Sequence, residues 1–261
     1  MPSFSKERIM EKVFNINDAG TSIRCKLCIE QPNDVKTVVL CGHGFGSDRD
    51  NKSAARLAKH LLDKNHGVAV MTFNWPCHGD DARKTLRLEE CDTYLAAVLS
   101  WINARYPNAV LLGHATSFGA YLFLKYISEH GNPFRKIALR CPAVVLYDVF
   151  TKAIMTEADL ERIKKGKPVP VGFDRKVEID RTFLDSIRET DLMQRDFIPY
   201  ADDLLIVHGT KDEIVPFDAV KAFAENNVIE FEPVENADHR FQSPEKMDLA
   251  IAKICAFYGL R

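Results

Sequence analysis

Hydrolysing an ester or amide at neutral pH needs a nucleophile, a base to take its proton, a group to orient the base, and donors for the oxyanion. The chain offers a candidate for each. The nucleophile candidate is Ser117, in Gly113-His114-Ala115-Thr116-Ser117-Phe118-Gly119-Ala120. A strand-like run precedes it and the helix-like YLFLKYI follows, so Ser117 falls on a tight strand-to-helix turn that raises its hydroxyl above a sheet. Strand and helix crowd there, which calls for small residues two before and two after; Ala115 and Gly119 occupy those places. The plainer reading is a serine that caps the helix.

The base candidate is His239, in Ala237-Asp238-His239-Arg240-Phe241, between the strand-like VIEFEPV and the last helix. Other histidines compete. His60, His66 and His130 fall on or beside helices and read as surface residues, and His43 and His78 lie in loops. His114 and His208 lie at strand ends, are expected to be half buried, and are the second choices. The orienting acid candidate is Asp212, in HGTKDEIVP after the run LLIV. A carboxylate there can accept the base's distal N–H and fix its tautomer. It also reads as an ordinary turn carboxylate. Glu213 should point elsewhere, and Asp202, Asp203 and Asp238 are weaker alternatives.

Oxyanion donors would be backbone N–H groups. The glycines of Cys41-Gly42-His43-Gly44-Phe45-Gly46-Ser47 let the backbone approach a ligand closely. The expected donors are the N–H of Phe45 and the N–H of Phe118. A dinucleotide fingerprint would need glycine at position 47, which is serine, and no G-x-x-x-x-G-K-[ST] run occurs.

These residues need a scaffold that gathers them. Residues 11–31 read as an antiparallel hairpin turning at Asn17-Asp18-Ala19-Gly20, with Ile23, Cys25, Leu27 and Ile29 alternating on its inner face. Residues 35–41, 67–75, 109–112, 136–141, 204–207 and 228–231 read as buried strands. Helical stripes at 50–65, 86–105 and 118–129, a helix between the last two strands, and a final helix through Met247, Ala250, Ile251, Ile254 and Phe257 separate them. Ser243 can cap that last helix, with Pro244 in its first turn. Strands alternating with helices predict an α/β fold: a mostly parallel twisted sheet of about eight strands covered on both faces. Residues 144–198 are too many for a simple crossover, and KKGKPVPVGFDRKVEIDRTF carries turn and short-strand signals. The expected division is a core of 1–143 and 199–261 with a cap insertion, 144–198, packed over the sheet edge.

The chain has 261 residues, 46% apolar and 28% charged, with a net charge of −2. That composition excludes a disordered, collagen-like or membrane-bundle chain. Without a basic excess, nucleic acid is not expected as a partner. The 7 cysteines are odd in number and scattered, as free thiols in a reducing compartment would be. No secretory signal and no run of ~18 apolar residues is visible. A cytoplasmic protein without membrane insertion is expected, and nothing argues against a homodimer. Cys25-x-x-Cys28 lies on a strand, where residues three apart face opposite ways, so no metal is expected. Arg162, Lys164, Lys165, Lys167, Arg175 and Lys176 read as a solvated surface of the cap. Phe150, Ile154, Val169 and Phe173 are candidates to line a pocket.

The candidates come in the chain order nucleophile, acid, base, which is the α/β-hydrolase order. CGHGFGS, GHATSFGA, HGTKDEIVP and ADHRF together resemble the α/β-hydrolase superfamily over nearly the whole chain. Two places depart from its usual pattern: Ala115 stands where glycine is usual, and Pro76-Cys77-His78-Gly79 where Arg-Gly-His-Gly is usual. Within the superfamily the chain is similar to small bacterial esterases, including cinnamoyl and feruloyl esterases and the serine aminopeptidase-like group. The resemblance implies a serine enzyme that hydrolyses a small-molecule ester without a cofactor. A peptidase or amidase on the same residues is the enzymatic rival, and a catalytically silent binding protein of the same fold is the other.

Overall fold

The computed structural model describes residues 9–18, 20–81, 85–172 and 175–261. Strands β1 (Met10–Asp18) and β2 (Thr21–Ile29) form the expected hairpin, paired in register from Met10 opposite Ile29 to Asp18 opposite Thr21. Ala19 of its turn lies outside the described residues. The sheet continues through β3 (Thr37–Gly42), β4 (Val68–Phe73), β5 (Val110–Thr116), β6 (Lys136–Arg140), β9 (Leu204–Gly209) and β10 (Glu230–Val234). Its order is β1-β2-β4-β3-β5-β6-β9-β10, parallel from β4 onward.

The period-two pattern of the strands sends alternate side chains to two cores. Cys25, Val38 and Leu40 join one core with the buried faces of α2 (Leu88–Arg105), α3 (Phe118–His130) and α7 (Phe217–Asn226). Cys28, Val39 and Cys41 join the other with α1 (Lys52–Lys64) and α8 (Pro244–Tyr258). Cys25 and Cys28 therefore do face opposite ways, and all seven cysteines are free and buried. Local chemistry sets the helix ends. The Asn51 side chain accepts the Ala54 N–H at 2.9 Å, Ser243 accepts the Lys246 N–H at 3.4 Å, and Gly259 closes α8 in a left-handed turn at φ 71°. No helix among the described residues is long and apolar enough to cross a membrane.

The largest differences from expectation are at two strands. The last strand begins at Glu230 rather than 228, because Val228 is 70% exposed and turns the chain at φ 56°. β5 runs on to Thr116, which brings it right up to Ser117.

Residues 144–198 hold a one-turn helix α4 (Leu146–Asp148), a π-helical stretch Val149–Ile154, α5 (Glu157–Lys164), a separate two-stranded sheet of β7 (Val169–Val171) and β8 (Val177–Ile179), and α6 (Arg181–Glu189). This segment packs against the rest of the chain through aromatic side chains. Its Phe150 and Phe183 rings meet Phe45 and Phe118 above the carboxyl ends of the central strands. Apolar surface drives the contact: the aromatic side chains above β3 and β5 offer area to bury.

Candidate active site

Ser117 sits alone between the end of β5 and the start of α3, at φ 52°, ψ −116°. A non-glycine residue held there costs about 1–3 kcal/mol and persists only where its surroundings enforce it. Three hydrogen bonds do so. The Ser117 N–H donates to the Arg140 carbonyl at 3.0 Å, and the Ser117 carbonyl accepts from Tyr121 at 3.0 Å and Ala143 at 3.3 Å. The side chain makes no capping bond to the helix, which removes the plainer reading and leaves the hydroxyl for another partner. Ala115 is fully buried, so the site accommodates its methyl.

That partner is His239. Its Nε2 lies 3.0 Å from Ser117 Oγ, and its Nδ1 lies 2.8 Å from Asp212 Oδ2. A carboxylate only accepts, so Nδ1 carries the ring proton and Nε2 presents a lone pair to the hydroxyl. The Asp212 side chain is fully buried and that of His239 is 12% exposed. Oδ1 of Asp212 accepts the N–H groups of Ile214 at 2.9 Å and Val215 at 2.8 Å. Burial alone would push the Asp212 carboxyl up. The bond from His239, its charge and the Val215 N–H outweigh that and hold it below the usual carboxylate range. Glu213 does turn elsewhere, with its carboxylate accepting the His239 backbone N–H at 3.1 Å.

The competing residues have other partners. His208 is fully buried, not half buried, and its Nε2 faces the Val215 carbonyl at 3.2 Å and Asp212 Oδ2 at 3.3 Å. Burial keeps its pKa below the ordinary value, so it is a neutral second donor to the acid. His114 is likewise buried, faces the Ala138 carbonyl at 3.1 Å, and is held down to about 4 by desolvation. Asp238 accepts from the Gln242 N–H, and Asp203 pairs with Arg135.

The glycine loop after β3 lies against the serine: a β-carbon on Gly44 would sit 3.5 Å from that of Ser117. Neither Phe45 nor Phe118 has a hydrogen-bond acceptor for its backbone N–H among the described residues. The loop is pinned by His43, whose carbonyl accepts the Trp75 indole N–H at 3.0 Å and whose Nε2 accepts the Trp75 backbone N–H at 3.2 Å. The Pro76-Cys77-His78-Gly79 turn places the His78 ring against His43, Phe45 and Phe118. Desolvation drives the pKa of His43 down to about 4; desolvation and then its charged-state repulsion with His43 drive that of His78 to about 3. Both are neutral packing groups beneath the site. The sequence marks both only as loop histidines, and their burial beneath the serine becomes visible in the fold.

From the 144–198 segment, Phe150 and Val169 are buried and Ile154 is half buried against this core, while Phe173 lies outside the described residues. Arg162, Lys164, Lys165, Lys167 and Lys176 are exposed, as a solvated surface requires; Arg175 is half buried and reaches the Asp81 carbonyl. Among the described residues one group of metal-ligand types appears, Cys141 with His208 and Asp212, their ligand atoms within 4.8 Å. It fits a metal poorly. Burial, then the Asp212 charge, keep the Cys141 thiol protonated, and His208 Nε2 is committed to the Val215 carbonyl.

Residues 38–249 match the model of the alpha/beta hydrolase family. No curated protein matches the sequence. Among solved structures, Est1E from Butyrivibrio proteoclasticus with ferulic acid bound is similar at a TM-score of 0.76 and 16% identity, covering 94% of this chain and 97% of that one. The Pyrococcus furiosus esterase Pf2001 is similar at 0.69 and 17%, covering 96% and 92%. An alpha-beta serine hydrolase homologue from Coxiella burnetii is similar at 0.60 and 21%, covering 93% and 97%. At these identities the likeness is one of fold.

Proposed function

The chain belongs to the alpha/beta hydrolase family, and from that premise we propose that it is a serine hydrolase cleaving carboxylic esters through an acyl-enzyme. The observation that carries this reading is the unbroken line from Asp212 Oδ2 through His239 to Ser117 Oγ, at 2.8 and 3.0 Å, ending on a strained, uncapped serine.

His239 Nε2 takes the Ser117 proton as Oγ attacks the ester carbonyl. The carbonyl π electrons move to oxygen, and the N–H groups of Phe45 and Phe118 receive that charge. As the intermediate collapses, the C–O bond to the alcohol breaks and the imidazolium returns its proton to the departing oxygen. Water then gives a proton to His239 and adds to the acyl carbon, and collapse frees the acid and restores Ser117. Asp212 stays ionised throughout, holding the Nδ1 tautomer and stabilising the imidazolium. The aromatic rings of Phe45, Phe118, Phe150 and Phe183 favour an ester with an apolar acyl or alcohol group, and Est1E, bound to ferulic acid, is of the same fold.

The test is turnover of p-nitrophenyl esters beside matched aminoacyl anilides, with a fluorophosphonate probe and peptide mass mapping. The expected result is ester turnover, label on Ser117, and loss of both in Ser117→Ala. Anilides cleaved faster than esters would transfer the site to a peptidase, and failure to label a folded protein would overturn a hydrolase altogether.

A further inference from the structure

Arg140 ends β6 and is 6% exposed. Among the described residues it makes no direct ion pair, although the charges of Asp212 and Asp238 act on it from a distance, and its Nε has no hydrogen-bond partner. A buried guanidinium in that state is expensive, and an apolar side chain of similar volume is often as stable or more so. Its contacts explain what it does there. Its main-chain carbonyl accepts the Ser117 N–H at 3.0 Å. Its Nη1 donates to the His239 carbonyl at 3.0 Å, while the guanidinium stacks on the Phe241 ring at 4.9 Å. The peptide units of His239 are thus held from both sides, N–H by Glu213 and carbonyl by Arg140. Backbone strain flanks the contact, with Cys141 at φ 48° and Phe241 at φ 54°.

We propose that Arg140 is a positioning residue for the Ser117–His239 pair: main chain on the one, side chain on the other, it sets the separation across which the proton moves. This rests on the reading of Ser117 and His239 as nucleophile and base. Arg140 does not touch the reacting atoms. It acts by fixing the loop that carries the imidazole, and a misplacement of about 1 Å at such a distance can cost about 100-fold in rate.

The test compares wild type, Arg140→Met and Arg140→Lys for kcat and KM on a p-nitrophenyl ester, for thermal midpoint, and for the downfield NMR resonance of the His239 Nδ1 proton, the last also in a Ser117→Ala background. For Arg140→Met, kcat should fall roughly 10–100-fold with KM nearly unchanged. The thermal midpoint should hold or rise, and the resonance should shift or broaden. Arg140→Lys, which keeps a buried cation and donor, should recover part of kcat. Should Arg140→Met not fold, Arg140→Lys with a full kcat and an unmoved resonance would overturn the proposal. So would a folded Arg140→Met with wild-type kcat, or one whose kcat and midpoint fall together while the resonance stays. Absence of Ser117-dependent turnover in wild type would sink the hydrolase reading alone, since the resonance reports the position of His239 without turnover.

Discussion

Gly119 lies directly under the His43 carbonyl: a β-carbon at position 119 would sit 2.4 Å from that oxygen and 2.8 Å from the Gly42 carbonyl oxygen. Both obstacles are backbone, so no side chain can swing away. Gly119→Ala should therefore push the glycine loop off Ser117. The expected outcome is a loss of several kcal/mol of stability, at the severe end for a single substitution, together with loss of turnover. Ala115→Gly, on the other side of the serine, should cost only about 0.5–1 kcal/mol in backbone entropy and keep its activity. Urea unfolding and ester turnover on the two variants check this. A Gly119→Ala protein as stable and active as wild type would show that the loop is not held where it lies here.

The strain at Ser117 separates two substitutions that look alike chemically. Alanine keeps a β-carbon at φ 52° and so keeps the strain; glycine removes it. Both should abolish turnover. Ser117→Gly should exceed Ser117→Ala in stability by about 1 kcal/mol, the strain relieved being partly offset by the entropy glycine loses on folding. Equal unfolding free energies would mean that the turn stores no strain.

The chain order of Ser117, Asp212 and His239 was legible because each follows a strand, and strand ends are where an α/β sheet gathers its loops. The sheet itself was legible from apolar periodicity, to within a few residues at the strand ends. The burial of Arg140 and the full burial of His208 were not. Each residue is the polar end of an apolar strand run, KIALR and LLIVH, and at such a place sequence cannot separate a wet strand end from a buried polar group with a distant partner. Their partners, the His239 carbonyl and Asp212 Oδ2, become visible only when the loops after β9 and β10 close over β6. The particular contacts of residues 144–198 were hidden for a related reason. Aromatic contacts join Phe150 to Phe45 and Phe183 to Phe118, residues 105 and 65 positions apart, and local periodicity carries no record of them.

Asp212→Asn should be more damaging than its near-isosteric shape suggests. Oδ1 accepts two backbone N–H groups, from Ile214 and Val215. The asparagine oxygen must stay there, which turns its NH2 toward His239 Nδ1. Two donors cannot face each other, so the imidazole moves its proton to Nε2 and can no longer accept one from Ser117. The expected loss in kcat is on the order of 10⁴-fold, with the fold retained. Asp212→Ala should instead also destabilise the protein, by about 1–3 kcal/mol for each backbone N–H left without a partner. Kinetics and urea titration of both variants distinguish the tautomer effect from simple loss of the carboxylate; equal stability and equal kcat in the two would refute it.

Acid should unfold this protein through its buried histidines before its carboxylates matter. His43, His78 and His114 have folded pKa values pushed down to about 4, about 3 and about 4, by desolvation in each case. In the unfolded chain each returns to about 6.5. Between these limits the unfolded state binds protons that the folded state does not, so stability rises with pH there and falls as pH drops. It is fully present above the unfolded value and declines from about pH 6.5 toward pH 4, by about 1.4 kcal/mol per pH unit for each such histidine. Asp212 works in the same direction but lower, because its depressed pKa contributes stability that is lost only as pH falls below the ordinary carboxylate range. Unfolding at pH 5 should therefore take up about three protons from these histidines, measurable as the slope of unfolding free energy against pH. Removing one of them, as in His114→Gln, should lower that slope by about one proton. A stability that stays flat from pH 7 to pH 5 would mean that these rings gain water or a counter-charge on protonation and are not sealed in the core.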